Sequence, residues 1–322
     1  LNRSIQVATT AKKPRVSSEQ LAQRWGIGLD TAAKTIHVTT QRGVRNVTGH
    51  LERRLKTKQA HSRYPQLGGR HGRFYTDTFF ASTPTLRTCK SAQLYTNDIG
   101  FMKVYPMQNK SETHETLNAF IHEVGIPYEL HSDDAKELME GKFKQICRDY
   151  GIKTTYSEPH SPWQNRAEAG IRELKRHVHR KMKARNIPLR LWDFCCKWAC
   201  AVKACTSSNA FSLEGRTPWE VVLGHTPDIS SLAEFDFYEP VWYYDAGDFP
   251  EPKRRLGYWL GEATHIGQSM CYYVMPMSGV PIVRSSVQPV SNADKMTDEV
   301  KQELKQLNQA ITEARGLFIR KR

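Results

Sequence analysis

Short runs in which hydrophobic and polar residues alternate are separated, through the middle of the chain, by runs with a helical period. Aromatic and β-branched runs at 74–81, 91–98 and 100–107 predict three consecutive strands. Helices and strands then alternate: helix 111–125, strand 128–133, helix 136–151, strand 152–158, loop 159–165 and a long helix at 166–186. This order predicts an α/β core over residues 70–225, with a mixed five-stranded sheet and helices.

A pair of short helices is predicted before this core. Ser17 or Ser18 suits a helix N-cap, and Leu21 and Trp25 share one face of the following helix. A turn at Gly26-Ile27-Gly28 and a second helix complete the spacing of a helix-turn-helix unit. The nearby basic residues are Lys34, Arg42 and Arg45. We predict a DNA-binding module within residues 1–60; a helical hairpin for protein contact is the alternative.

The composition changes again beyond residue 232. Short aromatic and β-branched runs, separated by Gly, Pro and Asp, predict a small SH3-like β-barrel over residues 232–292. Residues 293–322 are predicted to form a C-terminal helix. Its apolar residues recur at intervals of four, three and four, which favours packing on a partner: Val300, Leu304, Leu307 and Ile311.

The charge of the chain points to an anionic partner. The formal net charge is +14, and residues 1–60 hold 12 Lys and Arg against 3 Asp and Glu. Such a segment favours a polyanion, because each neutralised phosphate releases counterions; a solvated tail is the alternative. We find no transmembrane run or signal-peptide pattern. A chain that begins without Met is expected to be part of a longer protein, such as a polyprotein.

The seven cysteines include no C-x2-C pair. Four of them lie in one apolar segment with a helical period: Cys195, Cys196, Cys200 and Cys205. We predict that they are small core residues rather than zinc ligands. An odd number of cysteines without a secretion signal is typical of a reducing compartment.

Three acidic residues have unusual places in the pattern. Asp77 lies among Phe and Tyr in the first strand, Asp133 ends the fourth strand, and Glu168 begins the long basic helix. Carboxylates that converge repel one another unless a cation lies between them. Hard oxygen ligands suit Mg²⁺ or Mn²⁺, and two such ions can clamp a phosphodiester for in-line displacement. We therefore predict a metal site; taken singly, each acid would be a surface or capping residue.

Around these acids the chain resembles the core of retroviral-type integrases, and it is most similar to those of copia-type LTR retrotransposons. The segments "LHSDDAKEL" and "PHSPWQNRAE" resemble the second and third sequence blocks of that family. The matching residues beside the acids are His131, Ser132, Pro162, Gln164 and Asn165. The resemblance covers residues 70–225 and, loosely, the predicted barrel. It implies a ribonuclease H-like core in which Asp77, Asp133 and Glu168 are the catalytic metal ligands.

The chain departs from that family in three ways. Between Asp133 and Glu168 lie 34 residues, where the family has 35. Asp134 follows Asp133 where Asn is usual, which makes Asp134 a rival ligand. The family's His2Cys2 zinc module is not visible, because the first cysteine is Cys89, inside the core; the predicted helical pair occupies its position.

The helix after Glu168 is strongly basic. Residues 166–190 hold nine Lys and Arg against Glu168 and Glu173. We predict that one face of this helix holds the DNA backbone beside the metal site, through Arg172, Lys175, Arg176, Arg180 and Lys183. A solvated face is the alternative. In the preceding loop, Asn165 and Trp163 are predicted to contact the DNA end, although Trp163 is equally suited to the core.

The resemblance implies a polynucleotidyl transferase that trims the 3′ ends of element DNA and joins them to target DNA. The implied partners are both DNAs, a second copy of the chain, and an upstream protease and downstream reverse transcriptase in one polyprotein. The implied location is the host nucleus and a cytoplasmic element particle. The alternatives are a catalytically silent DNA- or chromatin-binding protein, a cut-and-paste transposase, and a ribonuclease H-like nuclease.

Overall fold

The computed structural model describes residues 16–41, 66–67, 72–133, 138, 140–158, 165–245, 254–266 and 270–313. Its strands are β1 (Gln66–Leu67), β2 (Arg73–Phe80), β3 (Ser91–Asn97), β4 (Met102–Met107), β5 (Ile126–Pro127), β6 (Glu129–Ser132), β7 (Lys153–Tyr156), β8 (Pro240–Tyr244), β9 (Arg254–Glu262), β10 (Tyr272–Met275), β11 (Ile282–Arg284) and β12 (Val287–Pro289). Its α-helices are α1 (Ser18–Trp25), α2 (Leu29–Val38), α3 (Thr113–Glu123), α4 (Gly141–Asp149), α5 (Arg166–Ala184), α6 (Trp192–Cys205), α7 (Pro218–Leu223), α8 (Ser230–Ala233), α9 (Asn292–Met296) and α10 (Asp298–Glu313).

A mixed sheet of five strands forms the centre of the molecule, in the order β4-β3-β2-β6-β7. The first three strands pair antiparallel, whereas β6 pairs parallel with both β2 and β7. The predicted mixed α/β sheet is therefore confirmed. Because β2 and β6 run in the same direction, their carboxyl ends lie at one edge of the sheet.

Each face of this sheet is covered by a separate set of helices. Phe74 and Leu130 belong to a buried cluster that also contains side chains of α3 and α4. Phe79 and Leu94 belong to a second cluster, which contains the apolar faces of α5 and α6. Successive side chains of a strand point to opposite faces, so Asp77 lies on the same face as Phe79, the side of α5.

Several local predictions are revised or extended. Before the central sheet, the short strand β1 pairs parallel with β5. The helix predicted at 136–151 is described as the shorter α4. All seven cysteines are free and buried, which confirms the prediction of core residues in α6. None of the described helices is long and apolar enough to cross a membrane.

The N-terminal helices have the predicted spacing. Ser17 caps α1 in a capping box, and Gly26 ends it in a left-handed conformation with φ 66°. Leu21 and Trp25 are fully buried in the same cluster as α5 and α6. On the exposed side, Lys34 Nζ donates to Asn209 Oδ1 over 2.9 Å. DNA binding by this pair stays a prediction, and Arg42 and Arg45 lie outside the described residues.

The C-terminal part contains a second sheet, which is antiparallel in the order β11-β10-β9-β8-β12. The short strands β11 and β12 form the two edges of this sheet. Helix α10 packs on this sheet: Leu307 is fully buried, and the Tyr258 hydroxyl donates to Asn308 Oδ1 over 2.9 Å. The partner of the predicted helix is thus the chain's own sheet. The closed barrel and the domain boundaries stay predictions.

Candidate active site at the carboxyl edge of the central sheet

Two of the predicted acids come together through strand register. Parallel pairing of β2 with β6 aligns Thr76 with Ser132. Asp77 and Asp133 are the next residue of each strand, so they sit side by side on the same face of the sheet. Both side chains are half-buried.

Glu168 reaches the same edge from α5. The helix approaches β3 closely at Gly170, where a Cβ atom would lie 3.2 Å from Leu94 Cδ2. This close packing brings the first turn of α5 to the sheet, and the charge of Glu168 in that turn acts on Asp77. Glu168 is half-buried, like the two aspartates.

The electrostatics of Asp77 show that the three carboxylates act on one another. Burial raises the pKa of Asp77 to about 6, and the charges of Asp133 and Glu168 contribute to the rise. A hydrogen bond from the Thr78 backbone N–H to Asp77 Oδ1, 2.6 Å long, and the charge of Lys110 act in the opposite direction. Burial and the neighbouring carboxylates therefore both oppose ionisation of Asp77, and the charge of Lys110 offsets them only in part.

The chemistry of this arrangement suits a divalent cation, but the side chains do not enclose one. Carboxylate oxygens are the ligands that Mg²⁺ and Mn²⁺ prefer. Burial, followed by the two neighbouring carboxylates, raises the pKa of Asp77. Within the described ranges, no group of three or more His, Cys, Asp or Glu side chains is arranged to hold a metal ion. The metal site stays a prediction, and the rival ligand Asp134 lies outside the described residues.

Asn165 has a different environment from the one predicted for it. It is 2% exposed and is the N-cap of α5, where its side chain accepts a hydrogen bond of 3.0 Å from the Ala167 backbone N–H. Its Nδ2 donates to Asp133 Oδ1 over 2.9 Å and to the Thr76 carbonyl over 3.4 Å. DNA contact by Asn165 stays a prediction, but its hydrogen bonds are made inside the protein. Pro162, Trp163 and Gln164 lie outside the described residues.

A second chain of hydrogen bonds reaches Asp133 from β7. The Ser157 hydroxyl donates to Asp133 Oδ1 over 3.1 Å and lies 3.1 Å from His131 Nε2. His131 Nδ1 lies 2.9 Å from the Thr155 hydroxyl, which donates to Glu129 over 3.0 Å. Burial and the charge of Arg73 lower the pKa of His131, which favours its neutral form. Sequence analysis missed Ser157, because nothing in its local pattern distinguishes it from other strand-end serines.

The basic face of α5 is exposed beside this site. All five cationic residues predicted to hold DNA are exposed: Arg172, Lys175, Arg176, Arg180 and Lys183. Lys175 Nζ lies 5.2 Å from the ring centre of Phe79 in β2, so the basic face begins next to the strand that carries Asp77. Their contact with DNA stays a prediction.

Not every cation of α5 faces outward. Lys181 and Arg185 both form ion pairs with the buried Asp236, and the Lys181 ammonium also donates to the Arg24 carbonyl over 2.7 Å. These two residues belong to the nine that sequence analysis counted as basic. These charges link α5 and its C-cap residue Arg185 to α1 and to the segment before β8. The Lys181 side chain is enclosed there, whereas the Arg185 side chain stays 39% exposed.

Comparison with known proteins was made by sequence and by structure. No protein-family model matches the chain, and no curated protein sequence does. Among solved structures, the catalytic core domain of BIV integrase matches with 16% identity and a TM-score of 0.38, covering 48% of this chain and 95% of that one. The HTLV-2 integrase catalytic core domain in complex with magnesium matches with 17% identity and a TM-score of 0.36, covering 49% and 97%.

A larger assembly also resembles the chain. The simian T-cell lymphotropic virus intasome, in complex with PP2A regulatory subunit B56 gamma, matches with 14% identity and a TM-score of 0.38, covering 70% of this chain and 83% of that one. At such identities and TM-scores, these similarities assign neither a family nor an activity to this chain.

Proposed function

We propose that the chain is the integrase of a copia-type LTR retrotransposon, a polynucleotidyl transferase that trims 3′ DNA ends and joins them to target DNA. The observation that carries the proposal is the side-by-side placement of Asp77 and Asp133, with Glu168 close enough to raise the pKa of Asp77. Clustered carboxylates next to an exposed basic helix suit a reaction on a polyanion.

The three acids are the residues that would hold Mg²⁺ or Mn²⁺. When bound, such ions supply activation of the attacking oxygen and stabilisation of the leaving oxygen at a phosphodiester. Asp77 must lose its proton to act as a ligand, and its raised pKa makes that loss less favourable than for an ordinary aspartate. Asn165 and Ser157 both donate a hydrogen bond to the same oxygen of Asp133, Oδ1.

The exposed face of α5 would hold the DNA backbone. Its cations contact phosphates and so position the duplex without reading its sequence. The partners we propose are element and target DNA and further copies of this chain, within a polyprotein that also contains a protease and a reverse transcriptase. The proposed location is the host nucleus and the cytoplasmic element particle.

The test is a strand-transfer assay with Mn²⁺ and a pool of short duplexes with randomised ends, in which joined products are sequenced. Glu168→Gln removes one proposed ligand charge while keeping a good helix former. We expect joining to fall by orders of magnitude, with DNA affinity unchanged or slightly higher. The control is Glu173→Gln, which removes an exposed carboxylate from the same helix.

Two outcomes would contradict the proposal. If Glu168→Gln joins ends as fast as the parent, Glu168 is only a helix-terminal charge. If the parent binds DNA tightly but joins no member of the pool, the non-catalytic DNA-binding alternative is favoured.

A further inference from the structure

The Asn165 side chain contacts Asp133 and the residues that precede Asp77 and Glu168. The Asn165 amide meets the Thr76 carbonyl, one residue before Asp77, and the carboxylate of Asp133 itself. The Asn165 side-chain oxygen accepts a hydrogen bond from the backbone N–H of Ala167, one residue before Glu168. These three contacts join β2, the end of β6 and the start of α5 at one buried point.

The chemistry of an amide fits this position. Asn has donors and an acceptor on one neutral group, so it can bond to a carboxylate, a carbonyl and an N–H together without adding charge. An Asp here would retain the cap but place a fourth negative charge beside a cluster that already repels itself. The group is 2% exposed, so these hydrogen bonds are shielded from competing water.

Both hydrogen bonds to the Asp133 carboxylate are made to the same oxygen. Asn165 Nδ2 and the Ser157 hydroxyl both donate to Oδ1, from α5 and β7 respectively. Two donors on one oxygen fix the orientation of the carboxylate, and the second oxygen receives no hydrogen bond from the part of the chain that the structure describes. Such outer partners of a ligand typically set both its orientation and its metal affinity.

We infer that Asn165 is a positioning residue, which orients the Asp133 carboxylate for a divalent cation, holds it against the elements that carry Asp77 and Glu168, and does not contact DNA. This rests on the proposed function, because it assumes that the three acids bind metal. It also replaces the role predicted from the sequence, in which Asn165 contacted the DNA end.

The test separates this role from simple helix capping. Asn165→Ser keeps a good N-cap acceptor but is too short to reach Asp133. We expect its Mn²⁺ affinity, measured by the electron paramagnetic resonance signal of free Mn²⁺, to fall about 10- to 100-fold. Its affinity for a short duplex without metal should equal that of the parent. The control is Ser291→Ala, which removes the N-cap of α9 away from the site.

A second variant keeps the inference testable if Asn165→Ser folds poorly. Ser157→Ala removes the other donor on Asp133 Oδ1 and leaves α5 intact. We expect a several-fold loss of Mn²⁺ affinity, again with unchanged DNA binding. If neither variant alters Mn²⁺ affinity, the inference is overturned and Asn165 is a cap alone.

The remaining outcomes distinguish the inference from the proposed function. A loss of DNA affinity in Asn165→Ser, with Mn²⁺ affinity unchanged, would overturn the inference and restore the predicted DNA contact. If the parent binds no Mn²⁺, or if Glu168→Gln does not weaken binding, the proposed metal site itself is wrong and the inference falls with it. A last outcome separates the two. If Glu168→Gln weakens Mn²⁺ binding but the Asn165 and Ser157 variants bind Mn²⁺ as tightly as the parent, the proposed function survives without the inference.

Discussion

Asp77 and Asp133 occupy equivalent positions on two parallel neighbours, one residue beyond the aligned pair Thr76 and Ser132. With Glu168 nearby, they form a cluster whose mutual repulsion contributes to the raised pKa of Asp77. Such a cluster opposes folding when its members are ionised and no cation is bound, because the charges are closer in the folded chain than in the unfolded one.

The first prediction concerns stability and pH in metal-free protein. The native pKa of Asp77 is about 6, above its ordinary value of 3.8, so the folded state binds this proton more tightly. The contribution of this proton to the free energy of unfolding is fully present below pH 3.8 and is lost as pH rises through 6. Asp77→Asn should therefore be more stable than the parent at pH 8, by up to about 3 kcal/mol, with the gap closing near pH 4.

Urea unfolding of both proteins from pH 4 to pH 8 measures this difference. Asp149→Asn, in which an exposed carboxylate of α4 is removed, is the control for the loss of one charge. A gap that stays constant over the pH range would show that Asp77 is not the titrating group. Adding Mn²⁺ at pH 8 should reverse the order, because an ion bound only by the folded parent stabilises it.

The second prediction concerns the exposed face of α5. Arg172→Glu with Arg176→Glu should weaken binding to a short duplex, and the slope of log affinity against log salt should fall by about 0.9 for each phosphate that the variant no longer neutralises. Lys142→Glu with Arg148→Glu changes the net charge equally, at exposed positions of α4. Equal weakening by both pairs would mean that net charge, rather than this face, binds DNA.

The third prediction concerns the N-terminal helices. Trp25 is fully buried in the cluster that includes α5 and α6, so Trp25→Ala should lower the free energy of unfolding by about 3–5 kcal/mol. Leu29→Ala, at a residue 52% exposed, should change it by less than about 0.5 kcal/mol. Thermal unfolding followed by circular dichroism distinguishes the two. A Trp25→Ala variant as stable as the parent would mean that α1 is not part of the cooperative core.

The fourth prediction concerns Asp236, the buried acid that pairs with Lys181 of α5 and with Arg185 at its C-cap. Asp236→Asn leaves Lys181 and Arg185 without their shared acid, and should cost about 3–5 kcal/mol of stability. Adding Lys181→Met should recover part of that loss, because one unpaired buried cation is removed. Glu173→Gln, which breaks the exposed pair with Lys203, should cost less than about 1 kcal/mol in the same denaturation experiment. If the double variant is no more stable than Asp236→Asn alone, the lost stability comes from packing around Asp236 rather than from the unpaired cation.

Much of the central sheet could be predicted from the sequence because its signals are local. Period-two runs, strand-ending acids and helix caps depend on residues a few positions apart, so the order of strands and helices followed directly. The order also made the strands of Asp77 and Asp133 parallel neighbours, whereas the register that aligns the two acids, one residue beyond Thr76 and Ser132, came from the tertiary structure. The exposed basic face of α5 also followed, because helical periodicity alone separates its polar side from its apolar side.

The sequence by itself thus determined which elements form and which residues occupy each face. The tertiary structure decided what each face meets: Asn165 turns inward to Asp133, Lys181 and Arg185 turn to Asp236, α10 packs on the chain's own second sheet, and Gln66–Leu67 joins β5. The physical reason is that hydrogen-bond partners and ion pairs are chosen among groups distant in sequence. Asn165 has the same local pattern whether it faces DNA or a carboxylate; only the approach of α5 to the ends of β2 and β6 distinguishes the two.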